Sequence, residues 1–176
     1  MKHNCDDCRS QKRTALCLLE ESEWASFAEV RTLHQFQARQ TVFHEGMPAS
    51  TVHILCGGRV KLSFKTPQGT AHTVKLLSAR LHPCEILDKP ALGRSVYSLT
   101  CETLTEAQIA CLDKAHFSRL MQHNHQFTLL VLNTLIAETA SHLEALRDGS
   151  GTARQRAAKL LITLSEAQPK ERGDGA

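Results

Sequence analysis

No stretch of the 176-residue chain is apolar over the roughly 18–20 residues that a bilayer crossing requires. The best candidate, which begins at Phe127 and ends at Leu146, is broken by Asn133, Thr134, Glu138 and His142. The first residues carry no apolar core of a secretory signal, so the expected location is the cytoplasm, where thiols stay reduced. Charge of one sign is also scarce: the formal net charge is +3, with ten histidines besides, a bias too small to require or exclude nucleic acid. Phosphate-binding glycine loops, nucleophile elbows and HExxH motifs are missing, and the histidines form no visible triad, which argues against an enzyme. Internal repeats and long low-complexity segments are absent as well.

What the chain does have is cysteine. There are seven, an odd number that does not suit a disulfide scaffold. Three of them, Cys5, Cys8 and Cys17, crowd the opening stretch CDDCRSQKRTALC together with Arg9, Lys12 and Arg13. Core packing does not explain three thiols in so polar a segment. Cations beside thiolates lower their pKa and offset the charge of a bound cluster. The spacing leaves a structural zinc site, closed as Cys3His by His3 or His34, and an iron–sulfur cluster both open.

The pattern that follows is helix, strands, helix. LLEESEWASFAEVRTLHQFQAR places Leu19, Trp24, Phe27, Val30 and Leu33 at helical spacing behind an acidic first turn. The period then shortens to two in VRTLHQFQA and TVFHEGMPA. TVHILCGG ends at a Gly57–Gly58 turn, RVKLSFKT alternates Val60, Leu62 and Phe64, PQG makes a hairpin turn, and AHTVKLL puts His72, Val74 and Leu76 on one face. Two more strands are expected near 97–102 and 106–112. Short, regularly punctuated strands predict a β-barrel or jelly roll rather than βαβ units.

Helical spacing returns in DKAHFSRLMQHN. Beyond it Leu129, Leu132, Ile136, Thr139, Leu143 and Leu146 run at alternating spacings of three and four, the seam of a self-pairing helix. Phe127, Val131, Leu130 and Leu135 form a second row that can face the barrel. Asp148–Gly151 stops this helix, Thr152 is placed to cap the next, and PKERGDGA is a polar tail. The boundaries expected are a cysteine segment at 1–17, a β domain with its leading helix at 18–118, a self-pairing helix at 119–148, and the start of a further domain with its tail at 152–176.

In this order the elements resemble the Crp/Fnr family of bacterial transcription regulators. The residues that carry the likeness are FHEGMPASTVHILCGGRVKLSFKTPQGTAHTVKLL, TARQRAAKLLITLSE, and the CxxC with a third cysteine directly before LLEESEWASF. The resemblance implies a mainly β, α+β fold: a cyclic-nucleotide-binding-like double-stranded β-roll flanked by an N-terminal helix and a long C-terminal dimerisation helix. It implies a homodimer, no membrane, and DNA binding only where a helix-turn-helix follows in a longer chain, since none is expected after Glu166. It also implies an iron–sulfur cluster, of the 4Fe–4S kind, on Cys5, Cys8, Cys17 and a fourth thiolate, with zinc as the alternative metal. Cys111 lies at or one residue beyond the position of the family's fourth ligand; Cys56, Cys84 and Cys101 are the other candidates. The family's nucleotide site is degenerate here. Arg94 and Ser95 match its Arg-Ser pair, but Asp88 and Lys89 stand where Gly-Glu belongs, which removes the ribose acceptor and argues against a cyclic nucleotide. The functional expectation is a sensor of oxygen, nitric oxide or redox state; the alternative is a zinc-binding or metal-free β-roll interaction module.

Overall fold

The computed structural model describes Ala25, Phe27 and residues 29–148, apart from the side chains of His142, Ala145, Leu146 and Asp148. The segment 1–17, the residues 152–176 and the side chain of Leu146 lie outside the described residues. Ala25, Phe27, Glu29 and Val30 are helical, and strand β1 begins at once, Arg31–Phe36. Leu33, placed by its spacing on the helix, is instead in β1 opposite Ala110, because the alternation of RTLHQF meets a long partner strand.

Strands β2 (Thr41–Phe43), β3 (Thr51–Gly57), β4 (Arg59–Lys65), β5 (Ala71–Ser78), β6 (Glu85–Ile86), β7 (Thr100–Thr103) and β8 (Ala107–Asp113) follow. They form two antiparallel four-stranded sheets, ordered β1-β8-β3-β6 and β2-β7-β4-β5. Helices α1 (Lys114–His123) and α2 (His125–Asp148) come last. This is the mainly β jelly roll that the punctuation predicts. Short β6 and the 3-10 turn Lys89–Gly93 were not expected, and neither has the length that makes a periodic signal.

The space between the sheets is filled by Phe43, Leu55, Val60, Leu62, Leu77, Leu87, Tyr97, Cys101 and Ile109, all buried. On β8, therefore, the odd-numbered residues Ala107, Ile109 and Cys111 face the interior. Val52, Ile54, Ala110 and Leu112 are buried too, and α1 packs against β8 and β3. Phe127 meets Phe117 edge-on at 5.3 Å between centroids and lies 6.2 Å from Phe27. Asp113 caps α1 by accepting from the backbone N–H groups of Ala115 and His116, which fixes where strand becomes helix.

The β3–β4 turn depends on Gly58. Its φ is +82°, and a Cβ there would stand 2.2 Å from the Glu106 carbonyl oxygen. The expected single face of His72, Val74 and Leu76 does not form. The β4–β5 register shifts between Leu62 and Ser63, so His72 lies opposite Phe64 and Leu76 opposite Lys61, with Val74 as the extra residue.

The described residues up to Leu132 form one compact unit; Asn133–Asp148 belong to a second.

Candidate functional site

The four thiols within the described residues occupy unlike places. Cys101, on β7, is wholly buried in the core, and burial pushes its thiol up to about 12. Cys111 is half-buried on the inner face of β8, opposite His53 of β3 and Thr32 at the start of β1; burial pushes it to about 11. Cys56 is half-buried at the end of β3, and Cys84 half-buried in the loop before β6. Among the described residues no three His, Cys, Asp or Glu side chains converge as a metal site. Cys5, Cys8 and Cys17 lie outside the described residues. Cys111 as a donor suits a cluster by position, since its soft sulfur sits where the chain enters the roll through β1. By protonation it suits one only when a metal displaces the proton, because its surroundings hold it as the neutral thiol.

Beside Cys111 the interior carries an aromatic group. Tyr97 stacks on Phe43 at 4.3 Å, His53 lies 4.9 Å from Phe43, and the Tyr97 hydroxyl donates to the Thr51 carbonyl at 2.8 Å. Burial, with His34 adding repulsion, lowers His53 from 6.5 to about 4, so the ring is neutral at pH 7.

The residues of the degenerate nucleotide site fold onto themselves. Lys89, which the sequence offered as a lost acceptor, is buried and ion-paired with Glu85. Lys75 from β5 reaches the same carboxylate oxygen at 3.3 Å. Glu85, four residues before Lys89, is the residue that sequence reasoning passed over. Asp88 does what a glycine would do, taking a left-handed backbone with φ 46°, a conformation that aspartate tolerates better than most. Its Oδ2 accepts from the N–H groups of Ser98, at 2.6 Å, and Leu99, at 3.3 Å, while its buried Oδ1 has no hydrogen-bond partner. Burial raises the Asp88 carboxyl above its ordinary range, against the pull of those two donors and of Arg94. Arg94 and Ser95 are exposed, and Lys114 donates to the carbonyls of Ala91, at 2.6 Å, and Arg94. A carboxylate is thus present after all, but it is held between two lysines.

On α2, Phe127 and Val131 are buried, and Leu130 and Leu135 half-buried. Leu129, Leu132, Ile136, Thr139 and Leu143 are exposed, Ile136 at 56% and Leu143 at 55%. Among the described residues no helix is long and apolar enough to cross a membrane.

A closed β-roll followed by a helix with an exposed apolar stripe defines a class, that of sensor domains built on a nucleotide-binding roll. The chain belongs to the cyclic nucleotide-binding domain family, whose model matches residues 33–124, and its form is that of a Crp/Fnr-family sensor domain. It is 26% identical over 168 residues to the transcriptional activator protein FnrL of Cereibacter sphaeroides, covering 93% of this chain and 64% of that protein. It thus spans about two thirds of the length of that relative. Among solved structures it is similar to DNR from Pseudomonas aeruginosa, with TM-score 0.64, 20% identity, and 97% of this chain and 75% of that one covered. It is also similar to the c-di-GMP responsive global regulator CLP of Xanthomonas campestris, with TM-score 0.66, 17% identity, and 88% and 78% covered. All three are named as a transcriptional activator or a regulator.

Proposed function

We propose that this chain is the sensing and dimerising part of a Crp/Fnr-type transcription regulator that responds to oxygen, nitric oxide or redox state. The observation that carries the reading is the exposed stripe Leu129, Leu132, Ile136 and Leu143 on α2, in a chain that aligns with FnrL over 93% of its length. Apolar side chains at alternating spacings of three and four are the seam of a paired helix, and burying each against a second copy removes it from water. DNA binding by the whole regulator belongs to the same proposal.

The sensing group is an iron–sulfur cluster held by Cys5, Cys8 and Cys17, with Cys111 as fourth ligand. When bound, it supplies a metal centre whose state changes with oxidant or nitric oxide. The chain supplies three soft donors close in sequence, cations beside them, and a fourth sulfur on the inner face of β8. Cys111 faces inward, so engaging it ties the N-terminal segment to the interior face of β8. That tie is the means by which the segment biases α2 pairing. Cyclic nucleotide is not the signal in this reading, since Lys75 and Lys89 occupy the carboxylate of Glu85.

The test is sedimentation equilibrium of the chain prepared without oxygen and after exposure to air. The proposal expects a dimer that weakens at least about tenfold on exposure, with Cys111→Ser abolishing the difference. A monomer under both conditions, or identical dimerisation in both, would contradict it.

A further inference from the structure

Cys56 and Cys84 stand apart from the sulfur proposed for the cluster. Cys56 is three residues along β3 from His53, the partner of Cys111, which is about 10 Å of strand. In the β3–β6 ladder Ile54 faces Ile86 and Leu55 faces Glu85. Continued one step past the end of that ladder, the register sets Cys56 against Cys84, in the turn before β6. The backbone N–H of Leu87 donates to the His53 carbonyl at 2.8 Å. Alternation along an antiparallel pair then makes Leu55–Glu85 a hydrogen-bonded position and Cys56–Cys84 a non-hydrogen-bonded one, where opposed side chains approach most closely. In a regular ladder such positions have Cα atoms roughly 4.5 Å apart, inside the range that a disulfide spans.

Two backbone irregularities coincide with these residues. The β3–β8 register shifts between Leu55 and Gly57, which leaves Cys56 as the extra residue of a bulge. Cys84 holds φ at +53°, a conformation costly for a residue with a Cβ. Both residues are half-buried, unlike Cys101 in the core. Cys84 also directly precedes Glu85, the carboxylate that joins Lys75 and Lys89.

We infer that Cys56 and Cys84 are a second redox site, a dithiol that closes to a disulfide and fastens the loop before β6 to β3. The oxidant is of the peroxide class. One thiolate attacks the peroxide, its O–O bond breaks, and a sulfenic acid forms with release of water, or of an alcohol from an organic peroxide. The second thiol then attacks that sulfur, the S–S bond forms, and water leaves with the remaining proton. Two electrons pass to the peroxide for each disulfide. The closed form pins Glu85 and with it the lysine-bridged interior of the roll. This inference does not rest on the cluster, since it involves none of Cys5, Cys8, Cys17 or Cys111.

The test uses the full chain carrying Cys5→Ser, Cys8→Ser and Cys17→Ser, treated with hydrogen peroxide, blocked with an alkylating agent and mapped by mass spectrometry without reductant. Expected is one peptide pair joining Cys56 to Cys84, two hydrogens lighter than its parts and separated by dithiothreitol. Its formation should raise Tm by about 5–10 °C. Cys56→Ser and Cys84→Ser each abolish the linked peptide and the rise in Tm. The same mapping on the unsubstituted chain covers the case in which the triple variant does not fold. Full alkylation of both residues after peroxide, sulfinic acid at each, or linkage of either to Cys101 or Cys111 would overturn the inference. A chain that binds no cluster but forms the linked peptide refutes the reading in the preceding section and leaves this one standing.

Discussion

The interior of the roll and the outer face of α2 handle their exposed chemistry in opposite ways. Inside, charged groups are engaged by the chain itself: Glu85 by Lys75 and Lys89, and one oxygen of Asp88 by two backbone N–H groups. On α2, the large apolar side chains of Leu129, Leu132, Ile136 and Leu143 are exposed. In the proposed reading, a roll that fills its degenerate nucleotide site with its own ion pairs takes its signal elsewhere. Sulfur is the chemistry that the same proposal gives that role.

The contrast can be broken from either side. The largest effect is expected at Gly58, whose turn closes the roll. Gly58→Ala meets both a left-handed backbone and the Glu106 carbonyl, and should cost about 4 kcal/mol or prevent folding, read by urea unfolding. Next comes protonation of the interior. The unfolded chain takes a proton on His53 below pH 6.5, while the folded one resists until about 4. Stability from this residue is therefore present above pH 6.5 and is lost as pH falls from 6.5 towards 4, by about 3 kcal/mol in all. Unfolding curves across that window should show the slope, and His53→Phe should flatten it.

On the open side, Ile136→Glu puts a charge into the pairing stripe. It should raise the dimer dissociation constant about 100-fold and leave the Tm of the roll within about 2 °C, measured by sedimentation and calorimetry. A smaller loss is expected at Lys89→Met, where Glu85 keeps Lys75 as its partner; the cost is about 2 kcal/mol. The smallest effect sharpens the comparison most. A millimolar cyclic nucleotide should move Tm by less than about 1 °C, because a closed site gives no binding energy to the folded state.

Much of this arrangement is legible in the sequence, and the failures have physical causes. Alternation in RVKLSFKT and in the strands around it marks the roll because one face of each strand is buried and the other is not. The spacing from Leu129 to Leu143 marks the stripe for the same reason with a helical period. Leu33 misled because a residue at the junction of helix and strand satisfies both periods, and only its partner Ala110 decides. Val74 misled because a bulge leaves no trace in composition. Glu85 and Lys75 were invisible as a pair, since ten residues separate them in sequence and only the approach of β5 to β6 joins them. The inward turn of Cys111 could not be read from its neighbours either. A shift of one residue reverses the face, and that register is set by His53 and Thr32 on the strands beside it.

Metal analysis of the chain purified without oxygen reaches furthest into the account. The proposal predicts about four iron and four sulfide per chain, with visible thiolate-to-iron absorption that Cys5→Ser abolishes. A colourless protein carrying one zinc would contradict it.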